Sequence, residues 1–176
     1  MIYNSVDDVF MENEEVRRRL FAAVDGAGDG QARAAEGGWS IAEIVEHLSI
    51  AEAGMTRAIE ALLNAPSQGD SERSASHSFA PFSLDEQAEQ ARGKIEAPEF
   101  LRPTGLRLSE GLARLKESRA ALRAFRPRFE SADYSRQRLH PAFGPLNAAQ
   151  WLAFVGMHEA RHLRQIERIL REHQVL

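Results

Sequence analysis

The chain has 176 residues, 43% of them hydrophobic and 27% charged, with a formal net charge of −4 at neutral pH. That length and balance suit one domain spanning 1–176 and exclude both a disordered chain and a nucleic-acid surface built on net positive charge. There is no cysteine, which removes disulfides, thiolate nucleophiles and iron–sulfur clusters together and leaves only His, Asp, Glu or water to hold a metal.

The first helix is expected from about Ser5 to Val24, where Val6, Val9, Phe10, Val16, Leu20 and Phe21 form one apolar stripe. A Gly- and Ala-rich break follows, from Asp25 to Gly38. The second helix has a strong start: Ser40 and Glu43 make a capping box, and Trp39 with Ile44 can close a hydrophobic staple. Its stripe runs through Ile41, Ile44, Val45, Leu48, Met55, Ile59 and Leu62 to about Asn64, and Pro66 ends it. A long connection then extends to Pro103. It contains the polar run PSQGDSERSASHS, read as a mobile linker, and a short helix over about 84–93 opened by Ser83 and Glu86.

The third main helix covers about 106–126, with Leu108, Leu112, Leu115, Leu122 and Phe125 inward, and Pro127 stops it. After the loop SADYSRQRLHPAFGP, a last helix of about 26 residues opens at Asn147, with Gln150 at the box position and Leu146 and Trp151 as a staple. No stretch shows the period-two alternation of a strand, so essentially no sheet is expected. The Arg-rich stretches RRRL and RAFRPRF are interleaved with apolar residues and read as solvated helix faces. No run of 18 apolar residues exists, so no membrane-spanning helix is expected. The acidic, amphipathic N-terminus is unlike a signal peptide, and a cytoplasmic protein is expected. Four long helices joined by one long crossover describe an all-α four-helix bundle.

Three histidines carry the functional signal. His158 and His162, in HEARH, lie four residues apart and so share a helix face. Val155 and Ile166 bracket the pair one turn away on the same apolar stripe. Two stacked imidazoles there need partners for their ring nitrogens, and protonating both would put two charges in a poor solvent. A metal satisfies both nitrogens, and His47 of the second helix, flanking its stripe, either supplies a third from across the core or stands as a boundary histidine bonded to a carbonyl. HEARH also fits the H-E-x-x-H expression of zinc peptidases. That reading is set aside because no third ligand stands in the expected place, no strand-rich half exists to hold a peptide, and Glu159 is about 100° around the helix from His158; Glu159 reads as an exposed helix residue. Of the other histidines, His140 before Pro141 reads as structural, and His77 and His173 as solvated. Gln165, Glu43 and Glu52 are candidates to orient the ligand rings.

Three blocks in order, WSIAEIVEHL, LHPAFGPLNAAQWL and GMHEARHLRQIERIL, with KIEAPEFLRPTG between the first two, resemble the DinB-like superfamily and its DinB_2 branch. The resemblance implies an up-down-down-up bundle and a divalent metal, zinc or nickel, bound by His47, His158 and His162. It implies either a small-thiol S-transferase, with a low-molecular-weight thiol as cosubstrate, or a hydrolase acting on a small molecule. A non-catalytic metal- or ligand-binding bundle connected with stress is the rival expectation. Three neutral nitrogens leave a coordination position open, which suits either a bound water or a bound thiol. Such a site should lose its metal on acidification through roughly pH 6–5, as imidazoles protonate. A homodimer through an apolar face is a further expectation.

Overall fold

The computed structural model describes residues 1–34, 36–64, 78–90 and 97–174. Helix α1 is Val6–Asp25, α2 Ile41–Asn64, α3 Asp85–Gln90, α4 Leu108–Ala124 and α5 Ala148–Gln174. The capping chemistry of the main helices follows the sequence. Ser40 Oγ accepts from the Glu43 amide at 3.2 Å while the Glu43 carboxylate accepts from the Ser40 amide at 2.7 Å. Asn147 and Gln150 make the equivalent pair at 3.0 and 2.9 Å at the head of α5. α3 opens at Asp85, one residue after its expected start. The Ser83 hydroxyl accepts from the Asp85 amide, a tight local turn in place of a capping box. The remainder of that expected helix, and the run from Pro66 to His77 read as a mobile linker, lie outside the described residues.

Side-chain pairings give the helix directions. Asn13 meets Leu152, Arg17 meets Glu159 and Arg19 meets Glu167, so α1 and α5 run the same way. Val45 lies against Gly111 and Glu52 against Arg119, so α2 and α4 also run together. The start of α2 packs with the end of α5 and its later half with the start of α5, so these two are antiparallel. The result is an up-down-down-up four-helix bundle, its crossover joining the parallel α2 and α4.

One expectation about secondary structure needs correction. A small antiparallel hairpin, β1 Arg138–His140 and β2 Gly144–Leu146, precedes α5. Its strands are three residues each, too short for an alternating pattern to register, and Pro145 occupies one of them. What closes it is local: the His140 Nδ1 accepts from the amides of Ala142 and Phe143, both at 3.1 Å. Among the described residues no helix is long and apolar enough to cross a membrane.

The core falls into two apolar clusters. One joins Val9, Phe10, Ala51, Met55, Ile59, Leu122 and the first turns of α5; the other joins Leu20, Ile41, Ile44, Leu48, Leu115 and Leu163 to Ile169. Between them lies a layer of buried charge. Arg17 donates to Glu159 at 2.6 and 3.1 Å and to Glu52, and Arg119 donates to Glu159 at 2.8 Å and Glu52 at 3.2 Å. The remaining guanidinium donors reach the carbonyls of Leu115 and Asn13, both at 2.7 Å. Two cations and two anions cancel, and the bridging carboxylates satisfy the forks, which is the condition under which buried charge is tolerated. Arg17, read as part of a solvated face, is therefore a core residue, while its neighbours Arg18 and Arg19 are exposed. Glu159, read as exposed, is 1% exposed.

Candidate metal centre

His47 projects from α2 and His158 and His162 from α5. One ligand nitrogen of each lies within 4.8 Å of those of the other two. The Nε2 atoms of His47 and His158 are 3.3 Å apart. Two nitrogens bound tetrahedrally to one ion at about 2.0–2.1 Å sit about 3.3 Å apart by simple trigonometry, so this spacing matches shared ligation. The ring centroids stand 4.7 to 5.2 Å apart and the rings are inclined to one another rather than stacked.

The orientation of two rings is fixed from behind. The Nδ1–H of His47 donates to the Leu101 carbonyl at 2.8 Å, and a carbonyl can only accept, so the Nε2 lone pair faces the other histidines. His162 Nδ1 is paired with Gln165 Oε1 at 3.0 Å, with the same consequence. Gln165 thus fills the role the sequence suggested for it. Glu43 and Glu52 do not: Glu43 caps α2 and pairs with Arg33, and Glu52 belongs to the charged layer. Trp39 lies against the His47 ring at 4.9 Å between centroids, a contact its reading as a staple did not foresee.

The partner that sequence reasoning missed is Glu46. Its buried carboxylate accepts four hydrogen bonds, from the Thr104 amide and hydroxyl at 2.8 and 2.7 Å and from the amides of Gly105 and Leu106, both at 2.9 Å. Burial works to raise this carboxyl, but the hydroxyl and the three amides outweigh it and hold the group below its ordinary range. Glu46 therefore ties the end of the crossover to α2, one residue from His47 and three residues after the carbonyl that orients it. The Thr-Gly-Leu run offers consecutive backbone donors, but its partner lies 58 residues away in the chain, and only the family block KIEAPEFLRPTG hinted that this stretch matters.

All three imidazoles are held in the neutral, ligating form. Burial lowers His47, with Arg161 adding to it against the Leu101 hydrogen bond. Burial, then His162 and His47, push His158 well below the usual imidazole range. Burial, with His47 beside it, takes His162 down to about 4. A cluster of neutral nitrogen donors with converging lone pairs suits a borderline divalent ion, and three protein ligands leave room for a fourth. Glu159 is no general base here, because its carboxylate faces Arg17 and Arg119 rather than the histidines. His173 is exposed and bonded to the Arg33 carbonyl, and His77 lies outside the described residues.

Comparison with known proteins agrees with this fold. The DinB superfamily profile matches residues 12–166. An uncharacterized protein, YuaE of Bacillus subtilis (strain 168), is 28% identical over 137 residues, covering 74% of this chain and 76% of its own length. The crystal structure of TT2238, described as a four-helix bundle protein, superposes with a TM-score of 0.56 at 23% identity, covering 93% of this chain and 98% of that one. At that identity the likeness speaks for the fold alone.

Proposed function

The chain belongs to the DinB superfamily, and we propose that it is a divalent-metal-dependent enzyme whose zinc or nickel ion is held by His47, His158 and His162. One observation carries this reading: three imidazoles from two antiparallel helices bring their ligand nitrogens within 4.8 Å of one another. A divalent ion there supplies Lewis acidity, lowering the pKa of a thiol or water that enters its vacant position. The chain's own residues do the rest. Leu101 and Gln165 fix which nitrogen of His47 and of His162 points inward, and burial keeps both rings deprotonated at neutral pH. The substrate is a small molecule, and the reaction is transfer of a small thiol to an electrophile or hydrolysis.

The first test is a zinc and nickel titration of the metal-free protein at pH 7.5. One equivalent should bind, and His47→Ala should weaken binding at least about 100-fold, the loss of one of three ligands. Substoichiometric uptake, or equal affinity in the variant, would reject the centre. Turnover of an electrophile with glutathione, mycothiol or bacillithiol, compared with hydrolysis of activated esters and amides, then separates the two reactions. Metal uptake without either activity would make the protein a binding bundle.

A further inference from the structure

His140 stands in the hairpin that leads into α5, and the arrangement around it exceeds what a turn requires. Its Nδ1 accepts from two backbone amides, at 3.1 Å each. In a neutral imidazole one nitrogen accepts and the other carries the proton, so the Nε2 of His140 is an N–H donor. That donor has no partner among the described residues. Nor is it one of the buried polar atoms left without a partner, which among the described residues are Asn13 Oδ1 and Gln87 Oε1, so it is not sealed inside the fold. The ring is wedged among Phe143, Trp151 and Phe154, with centroids 5.2, 5.1 and 4.4 Å away. Its direction is therefore set by packing as well as by hydrogen bonds.

The ring that touches His140 most closely also touches the metal centre: the Phe154 centroid is 5.9 Å from that of His158, one turn along α5. Closing the hairpin needs only an acceptor, which Asp, Asn or Ser provide in turns of this kind. The imidazole adds a rigid donor.

We propose that His140 is a ligand-binding residue of the centre, whose Nε2–H donates to an oxygen (a carboxylate or carbonyl) of the molecule that occupies the metal's vacant position. This assignment rests on the three histidines holding a divalent ion. The zinc-loaded protein, titrated with acetohydroxamate as an oxygen-donor probe, tests it. His140→Ala should take up one equivalent of zinc with affinity within about twofold of wild type and bind the probe about 10-fold more weakly, the effect of one lost hydrogen bond. His140→Asn keeps an acceptor for the two turn amides but shortens the donor's reach, so it should exceed His140→Ala in thermal stability and match it in probe affinity. In the wild-type protein, histidine ¹⁵N spectra should show the Nε2–H tautomer for His140, and its Nε2 signal should move as the probe binds. If the probe fails to bind wild-type zinc protein, binds with that signal unmoved, or binds both variants as tightly as wild type, the assignment falls while the metal centre stands. If the wild-type protein takes up no zinc, both fall.

Discussion

At Gly156, α5 packs directly against Asn13 of α1. A Cβ built there would lie 2.0 Å from Asn13 Oδ1 and 3.6 Å from the Asn13 Cα. Asn13 is held in place by its amide, which donates to the Leu152 carbonyl at 2.9 Å, and its Oδ1 has no hydrogen-bond partner among the described residues. Gly156→Ala must therefore expel the Asn13 side chain. Overpacking of this kind costs about 1–3 kcal/mol and the lost hydrogen bond about 1 more, so urea unfolding should show a loss of about 3 kcal/mol. Asn13→Ala combined with Gly156→Ala should cost clearly less than the two single changes together, because the clash disappears. Additive costs would mean that the two residues are not in contact. Sequence reasoning gave no account of Gly156, because the reason for it lies on another helix. It misread Arg17 and Glu159 for a related cause: a charged residue is usually exposed, and only its partners across the core reverse that expectation. His158 and His162, by contrast, could be read directly, since the i, i+4 spacing and the apolar stripe around it are properties of one helix, whereas His47, on α2, was tied to them chiefly by the family resemblance.

The Glu46 clamp acts between elements, joining α2 to the segment 104–106 that leads into α4. Glu46→Ala leaves three backbone amides without their acceptor and frees the crossover end that carries Leu101. The expected cost is about 3 kcal/mol in unfolding free energy, from several charge-assisted bonds partly replaced by water. Zinc affinity should fall several-fold as His47 loses its fixed orientation, an effect second-sphere partners produce elsewhere. Unchanged zinc affinity in a folded Glu46→Ala protein would show that the Leu101 carbonyl holds its place unaided. Because the folded Glu46 carboxyl lies below its ordinary value of 4.5, its contribution is complete above that pH and is lost as pH falls through the lower folded value. The elements themselves were largely readable. The four long helices fall within two residues of their expected ends, because capping boxes and Pro stops are local signals. The hairpin was not, since three-residue strands closed by a His side chain carry no periodicity. The Glu46 clamp was not, since three of its four donors are main-chain amides that any sequence possesses.

Two apolar halves with a charged layer and a histidine cluster between them make the stability of the bundle depend on pH, and the sign can be worked out. In the unfolded chain the imidazoles titrate near 6.5, whereas His162 titrates at about 4 in the fold, with His158 and His47 also lowered. Between those values the unfolded chain binds protons that the native protein does not, so native stability rises with pH there and is lost as pH falls from 6.5 toward 4. His162 alone can contribute up to about 3 kcal/mol across that window. The same burial moves the competition between proton and metal. Solvated imidazoles would give up an ion through roughly pH 6–5, but rings that resist protonation should keep it lower, with release of zinc centred at or below about pH 5 on dialysis. A release midpoint at pH 6 or above would mean that the rings titrate as though exposed. A sharper check uses the metal-free protein. Between pH 5 and 6.5, His162→Gln should reduce the slope of unfolding free energy against pH by nearly one proton, about 1.4 kcal/mol per pH unit at most, because Gln165 and the neighbouring rings remain but the group that refuses its proton is gone. An unchanged slope would place the proton-excluding group elsewhere in the bundle and remove the physical reason for a neutral nitrogen at that corner of the triad.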